Sequence, residues 1–306
     1  MAKHSKVTSL IDAAASIESG TSLSFSGFGH SGHPMAFVRE LIRRRRRDLT
    51  LNAIAECWPA EFLVGSGSVS SINMSNLMFE GLGRCRALST AVENGSVRVD
   101  DHSHLGLSLR LLAAGWGVPF LPIRSMAGTD LENIQTAGRA KFTRVDSPFG
   151  DGQIGVVSAL HSDVAVIHVN KCDEQGNGIV YGTISVIDAQ VRAARRVIVT
   201  TEELVSSDDI IAENQHVVVP GILVDAVVHA PFGSHPAGMY GLYDEDVEHM
   251  AAYYAASRDA QALAAYHAQF VYAMKDHAQY LGSLGSRRLF GLLVDPALKV
   301  ALQEGV

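Results

Sequence analysis

Two apolar periodicities alternate along the chain. Short β-rich runs recur at 22–26, 49–55, 69–75, 120–123, 164–169, 197–201 and 222–229. Between them lie stretches with apolar residues at helical spacing: 9–17 (Leu10, Ile11, Ala14, Ala15), 34–46 (Met35, Phe37, Val38, Leu41, Ile42), 60–64, 104–115, 187–194 and a start near 206–211. Strands alternating with helices predict an α/β fold: an open, mainly parallel sheet with helices on both faces and ligands outside the strand C-termini. Between Arg124 and Gly155 the periodicity is lost, which suits a functional segment or an irregular cover. From Asp246 to Tyr280 the pattern reads as long helix, with Met250, Tyr254, Leu263, Tyr266, Phe270, Val271 and Met274 on recurring faces. No linker or repeat is visible, so the expected organisation is an α/β domain over 1–245 and a helical extension over 246–306 packed on it.

The stretch 22–34, SLSFSGFGHSGHP, is the sharpest local signal. An alternating run (Leu23, Phe25) breaks into Gly27, Phe28, Gly29, His30, Ser31 and Gly32, and Pro34 then opens a helix. Gly27 and Gly29 permit positive φ and let a ligand approach bare backbone, beside N–H donors that suit an anionic or carbonyl oxygen. A tight turn that packs helix on strand explains the glycines equally well. Gly27, Gly29 and Gly32 also match G-x-G-x-x-G, with Glu56 after the next strand-like run, but so short a pattern recurs by chance.

Composition narrows the function classes. The 306 residues are 47% hydrophobic and 19% charged, enough for a sizeable core, and a net charge of −7 argues against nucleic-acid binding. The basic run Arg43–Arg47 reads as a solvated helix C-terminus, with a CoA-phosphate patch as the alternative. Three scattered cysteines (Cys57, Cys85, Cys172) form no metal framework and suit a reducing compartment; with neither a signal-like N-terminus nor a membrane-length apolar run, a cytoplasmic protein without membrane contact is expected.

Several residues could carry chemistry. His102 and His104 follow Asp100-Asp101 at a helix start, where a histidine suits a neutral donor or base; capping or solvation is the plainer reading. Arg124 ends the apolar run PFLPI, and its guanidinium must reach water or meet a carboxylate or thioester oxygen. Glu93-Asn94-Gly95 reads as a turn rather than a nucleophile, and 173–178 as a polar turn. Glu202 and Glu203 sit where they could cap a helix, and Ala230–Pro236 (APFGSHP) repeats the strand–loop–glycine theme. Metalloprotease, P-loop and G-x-S-x-G motifs do not occur.

Taken together, SGFGHSGHP (26–34), PFLPIR with Gly128 (119–128), TEELVSSDDI (201–210), VPGILVDAVVHAPFGSHP (219–236), GLYDED (241–246) and KDHAQYLGSLGSRRL (275–289) resemble the alpha subunit of glutaconate CoA-transferase, a family I CoA-transferase. The likeness spans nearly the whole chain in one order and displaces a nicotinamide reading. It implies the fold of CoA-transferases and sugar-phosphate isomerase-like proteins, coenzyme A as substrate rather than resident cofactor, and a beta-type partner in an α2β2 heterotetramer. In that family CoA moves between an acyl-CoA and a small carboxylic acid through a glutamyl–CoA thioester on the beta subunit. The resemblance places Gly27, Phe28, Gly29, His30, Ser31, Ser75, Asn76 and His104 on the face that meets the partner's glutamate. Two departures stand out. The glutaconate enzyme is expected to carry a glutamine at the position of His104, and Arg124 instead resembles steroid-ring-opening CoA hydrolases, which pair the arginine with a glutamate near that position. A CoA-thioester hydrolase opening a cyclic diketone is therefore the alternative, and a sugar-phosphate-binding module the third reading.

Overall fold

The computed structural model describes residues 5–133, 140–150 and 152–295. Its centre is one sheet in the spatial order Val217–Val219, Gly178–Ile179, Ser162–Cys172, Ser22–Phe25, Leu49–Ala53, Val69–Met74, Arg98–Asp101. The long strand Ser162–Cys172 also pairs with Ala194–Leu204, which pairs in turn with Ala226–His229. All these pairings are parallel except those of Gly178–Ile179, which runs antiparallel to both neighbours. Val164–Val169 reads as an almost unbroken apolar run because helices cover the sheet on both faces. The register sets Phe25 beside Val166 and Leu51 beside Leu23, so these parallel strands end on one edge.

The larger core lies on the face covered by Met35–Arg43, Cys57–Gly65 and the C-terminal helices. There Trp58 and Phe79 meet at 4.5 Å between ring centroids, and Phe62 stacks on Tyr253 at 4.4 Å. Each such ring contributes about 1.5–3 kcal/mol by leaving water. Met250, Tyr253, Leu263, Tyr266 and Val271 all belong to this core, so the C-terminal helices pack on the sheet domain.

Three expectations need correction. Phe120–Ile123 is not in the central sheet: it pairs with Gln153–Ser158, which pairs with Phe142–Asp146 in a separate antiparallel sheet. The second half of the segment read as irregular, 124–155, is thus a hairpin, packed through Phe142 and Val157 on Ile123 and Met126; residues 134–139 and 151 lie outside the described residues. The long C-terminal helix is in fact several pieces, Val247–Ala256, Ala260–His267, a π-helical turn Ala268–Tyr272, His277–Leu284 and Ser286–Leu292. Asp259 and Asp276 start new helices by accepting hydrogen bonds from Ala262 N and Gln279 N. The basic run closes helices: Arg44 and Arg46 donate to Ile11 O and Ala15 O, and Arg47 to Ser66 O and Gly67 O. It precedes strand Leu49–Ala53 and lies on the edge opposite the strand C-termini, away from any site there.

Candidate active site

The loop after Ser22–Phe25 is shaped by a buried histidine. His33 sets Nδ1 3.1 Å from Ser26 O and Nε2 2.9 Å from Gly29 O, folding the loop around its ring. A Cβ on Gly27 would lie 1.9 Å from His33 Nδ1, and Gly27 has φ +117°, so only glycine fits. Burial pushes the His33 pKa down to about 4, and the neutral ring donates its single N–H to one of these two carbonyls. Phe28 and Ser31 exchange backbone hydrogen bonds, and Gly32 N donates to Gly238 O. The amides of Gly27, Gly29 and His30 donate to no backbone acceptor among the described residues.

His30 acts as a strut. Its Nδ1 accepts from Trp58 Nε1 at 2.8 Å, so Nε2 carries the proton and donates to Glu80 O at 2.7 Å. That bond, with the Glu80 carboxylate against Gly29, joins the glycine loop to the segment after Ser75 and Asn76. Behind the loop lies a cavity of ≈ 70 Å³ lined by Gly27, Phe28, Ser31, His168, Tyr181 and Tyr240, among others. An open cleft of ≈ 830 Å³ runs from His30 and Ser31 past Glu80, Asp244 and Glu245, whose acids disfavour the phosphates of CoA on that side.

Ser75, His104 and Arg124 gather further along the same edge. Ser75 Oγ donates to Ile54 O at 2.6 Å, so its one proton is committed. It can then only accept from His104 Nδ1, 3.4 Å away, leaving Nε2 of the exposed imidazole as the basic nitrogen. Ser103 caps the helix His104–Gly115, and Ser125 Oγ donates to Ser103 Oγ at 2.7 Å, which seats the 124–126 turn on that helix start. Arg124 is exposed there, and no ion pair links it to a described residue. Asn76 is exposed next to Ser75. The glycine loop and Ser75 follow strands separated by Leu49–Ala53, about 10 Å apart at ordinary strand spacing. Phe28 lines the cavity, whereas His104 and Arg124 do not.

Other sequence candidates are structural. His102 is buried 3.4 Å from Asp100, which also receives Lys141 Nζ at 2.7 Å, so this cluster ties the hairpin to strand Arg98–Asp101. Glu93 ends a helix on the surface, with Asn94 as its C-cap and Gly95 at φ +74°. Asp173 accepts from Gln175 N and Asn177 N inside its turn. His235 bonds Tyr280 and Asp246 in the core, fastening the C-terminal helices. Glu56 is buried, with Oε2 accepting from Ile54 N and Ala55 N and Oε1 from Gln190; burial pushes its pKa up to about 7. No carboxylate there is free for a ribose. Glu202 does not cap the next helix, which Ser206 and Asp209 cap; it is a buried acceptor that nothing in the local sequence announces. No group of three or more metal-ligating side chains occurs among the described residues, and no helix among them is long and apolar enough to cross a membrane.

Comparison with known proteins places this architecture. The coenzyme A transferase family model matches residues 7–230. The A subunit of glutaconate CoA-transferase from Acidaminococcus fermentans is 32% identical over 96% of both chains, and the crystal structure of that enzyme superposes with a TM-score of 0.89 over 96% of this chain and 97% of that one. The A subunit of 3-oxoadipate CoA-transferase from Pseudomonas knackmussii is 32% identical over 86% of this chain and 92% of its own. A cholesterol ring-cleaving hydrolase subunit of Rhodococcus jostii is 26% identical over 91% and 96%. The structure of the AibA/AibB decarboxylase matches at 31% identity, with a TM-score of 0.76 over 87% of this chain and 100% of that chain. An uncharacterised Archaeoglobus fulgidus protein, 34% identical over 89% of this chain, is longer, and the chain spans 61% of its length. The sheet, the glycine loop at its C-terminal edge and these matches converge: the chain belongs to the coenzyme A transferase family.

Proposed function

We propose that the chain is the alpha subunit of a heteromeric CoA-transferase, moving CoA between an acyl-CoA and a small carboxylic acid. The full-length correspondence with the A subunit of a heteromeric transferase carries this reading. A carboxylate of the beta-type partner attacks the thioester carbonyl and expels the CoA thiolate, leaving a mixed acyl–glutamyl anhydride; the thiolate attacks the glutamyl carbonyl and releases the first acid, so that CoA is held as a thioester on that glutamate, and the acceptor carboxylate recovers it by the same two steps in reverse. The unengaged amides of Gly29 and His30 suit the oxyanion of that attack. Phe28 and Ser31 line the acyl side, Ser75 and Asn76 the floor, and His104 and Arg124 orient the acyl end. A nucleophile on the partner is supported by the engagement of this chain's buried glutamates: Glu56 and Glu61 accept backbone amides, and Glu202 is held by four donors.

In this reading residues 1–245 form the reaction domain and the following helices its extension, the assembly is α2β2, and the enzyme works in the cytoplasm. The test is a CoA-exchange assay with acyl-CoA and labelled acetate, run on the chain alone and with its co-expressed partner. Exchange only in the pair supports the proposal; exchange by the chain alone contradicts it. A second reading, hydrolytic opening of a cyclic diketone carried on a CoA thioester, is favoured by the exposed His104, whose Nε2 is left as a base for water, and by Arg124, which no ion pair links to a described residue, on the same edge. It predicts that water cleaves the ring C–C bond to a new carboxylate with no acceptor acid and with the CoA ester retained.

A further inference from the structure

We propose that Glu202 is a positioning residue, the buried anchor that holds the glycine loop in its working shape; this rests on reading that loop as the thioester cradle. Glu202 sits near the end of strand Ala194–Leu204. Its Oε1 accepts from His168 Nε2 at 2.7 Å, from Gly233 N at 2.9 Å and from the Tyr243 hydroxyl, and its Oε2 accepts from Phe232 N at 2.6 Å. Four donors on one carboxylate leave no role for it as an acid or base, and charge-assisted bonds of this kind are the strong ones.

Tyr243 and His168 lead to the loop, and Gly233 to the helix that follows it. Ser234 N donates to the Tyr243 oxygen, and Ser234 Oγ accepts from His33 N, the residue whose ring shapes the loop. Gly233 O accepts from Ala36 N, Gly238 O accepts from Gly32 N, and Gly238 N donates to His30 O. From the other side, His168 N donates to Ser26 Oγ, which donates to Gly32 O. The loop thus hangs between segment 232–243 and His168, and Glu202 binds both. A glutamine would turn an amide N–H₂ toward one set of donors, so either Phe232 N, on Oε2, or the Gly233, His168 and Tyr243 donors, on Oε1, lose their acceptor.

The test is Glu202→Gln in the complex with the beta-type partner, with active sites counted by hydride trapping. Turnover per active site is expected to fall roughly 10- to 100-fold with the acyl-CoA KM within about threefold, and amide exchange across 27–33 to quicken while 49–53 stays unchanged. A merely structural role would reduce the number of active sites and leave turnover per site intact, and that result overturns the proposal. Should the variant not accumulate, Tyr243→Phe removes one donor and must shift the same two quantities in the same direction; unchanged values overturn the proposal. A wild-type complex without CoA chemistry sinks the transferase reading, whereas quickened exchange at 27–33 still supports the anchor.

Discussion

At Gly27 one hydrogen atom stands where any side chain would enter the His33 ring. Gly27→Ala is expected to cost about 3 kcal/mol, from the positive φ and the clash together, read as a lowered urea midpoint. The surface residues behave in the opposite way. Arg124→Ala should leave the unfolding free energy within about 0.5 kcal/mol of wild type, because the side chain is exposed and no ion pair links it to a described residue, while lowering kcat/KM on the order of 100-fold. His104→Gln separates orientation from proton transfer. Glutamine keeps a donor for Ser75 Oγ, so transfer should survive within about threefold, whereas a hydrolase using Nε2 as its base would lose on the order of 100-fold. The glycine spacing was legible in the sequence, and so was the placement of His104 and Arg124 at element ends. The need for Gly27 was not, since it depends on the path by which His33 folds back.

Among the elements, the parallel strands and their helices were readable because covered strands are apolar throughout and helices repeat at 3.6 residues. The hairpin 142–158 escaped notice because Thr143, Arg144 and Asp146 are exposed and only Phe142 of the first strand is fully buried, so little alternation remains. Glu202 escaped for another reason: its partners lie 30 to 41 residues away and meet only in the folded sheet. The C-terminal helices depend on Asp246, which accepts from His249 N as a helix cap and from His235 and Arg288. Burial alone would raise its pKa, but the His235 and Arg288 hydrogen bonds hold it well below the usual carboxylate range. Asp246→Ala leaves Arg288 and His235 without that acceptor and is expected to destabilise by about 3 kcal/mol, seen in thermal unfolding.

The molecule as a whole carries an acid liability in its buried histidines. Burial lowers His33 and His267 to about 4 and His249 and His277 to about 3, so their contribution is present above the unfolded value of 6.5 and lost as pH falls toward those values. Glu56 and Glu61, raised to about 7 by burial, act in the opposite sense: their contribution is full below 4.5 and lost as pH rises to 7. Between pH 6.5 and 4.5 these histidines, together with His102 and His235, which burial also lowers, outweigh the two glutamates, so unfolding takes up protons. Stability should therefore fall on acidification, measured as urea midpoints at successive pH values. A flat or rising profile would show that those histidines are charged in the native state.

The account turns on a division of labour in which this chain cradles the thioester and another chain attacks it. The most direct measurement is to incubate the co-purified pair with acyl-CoA, trap with borohydride and weigh each chain by mass spectrometry. The prediction is a glutamate reduced to its alcohol on the partner, with CoA released, and none on this chain. A glutamate so reduced on this chain, for instance Glu80 beside Gly29, would contradict it.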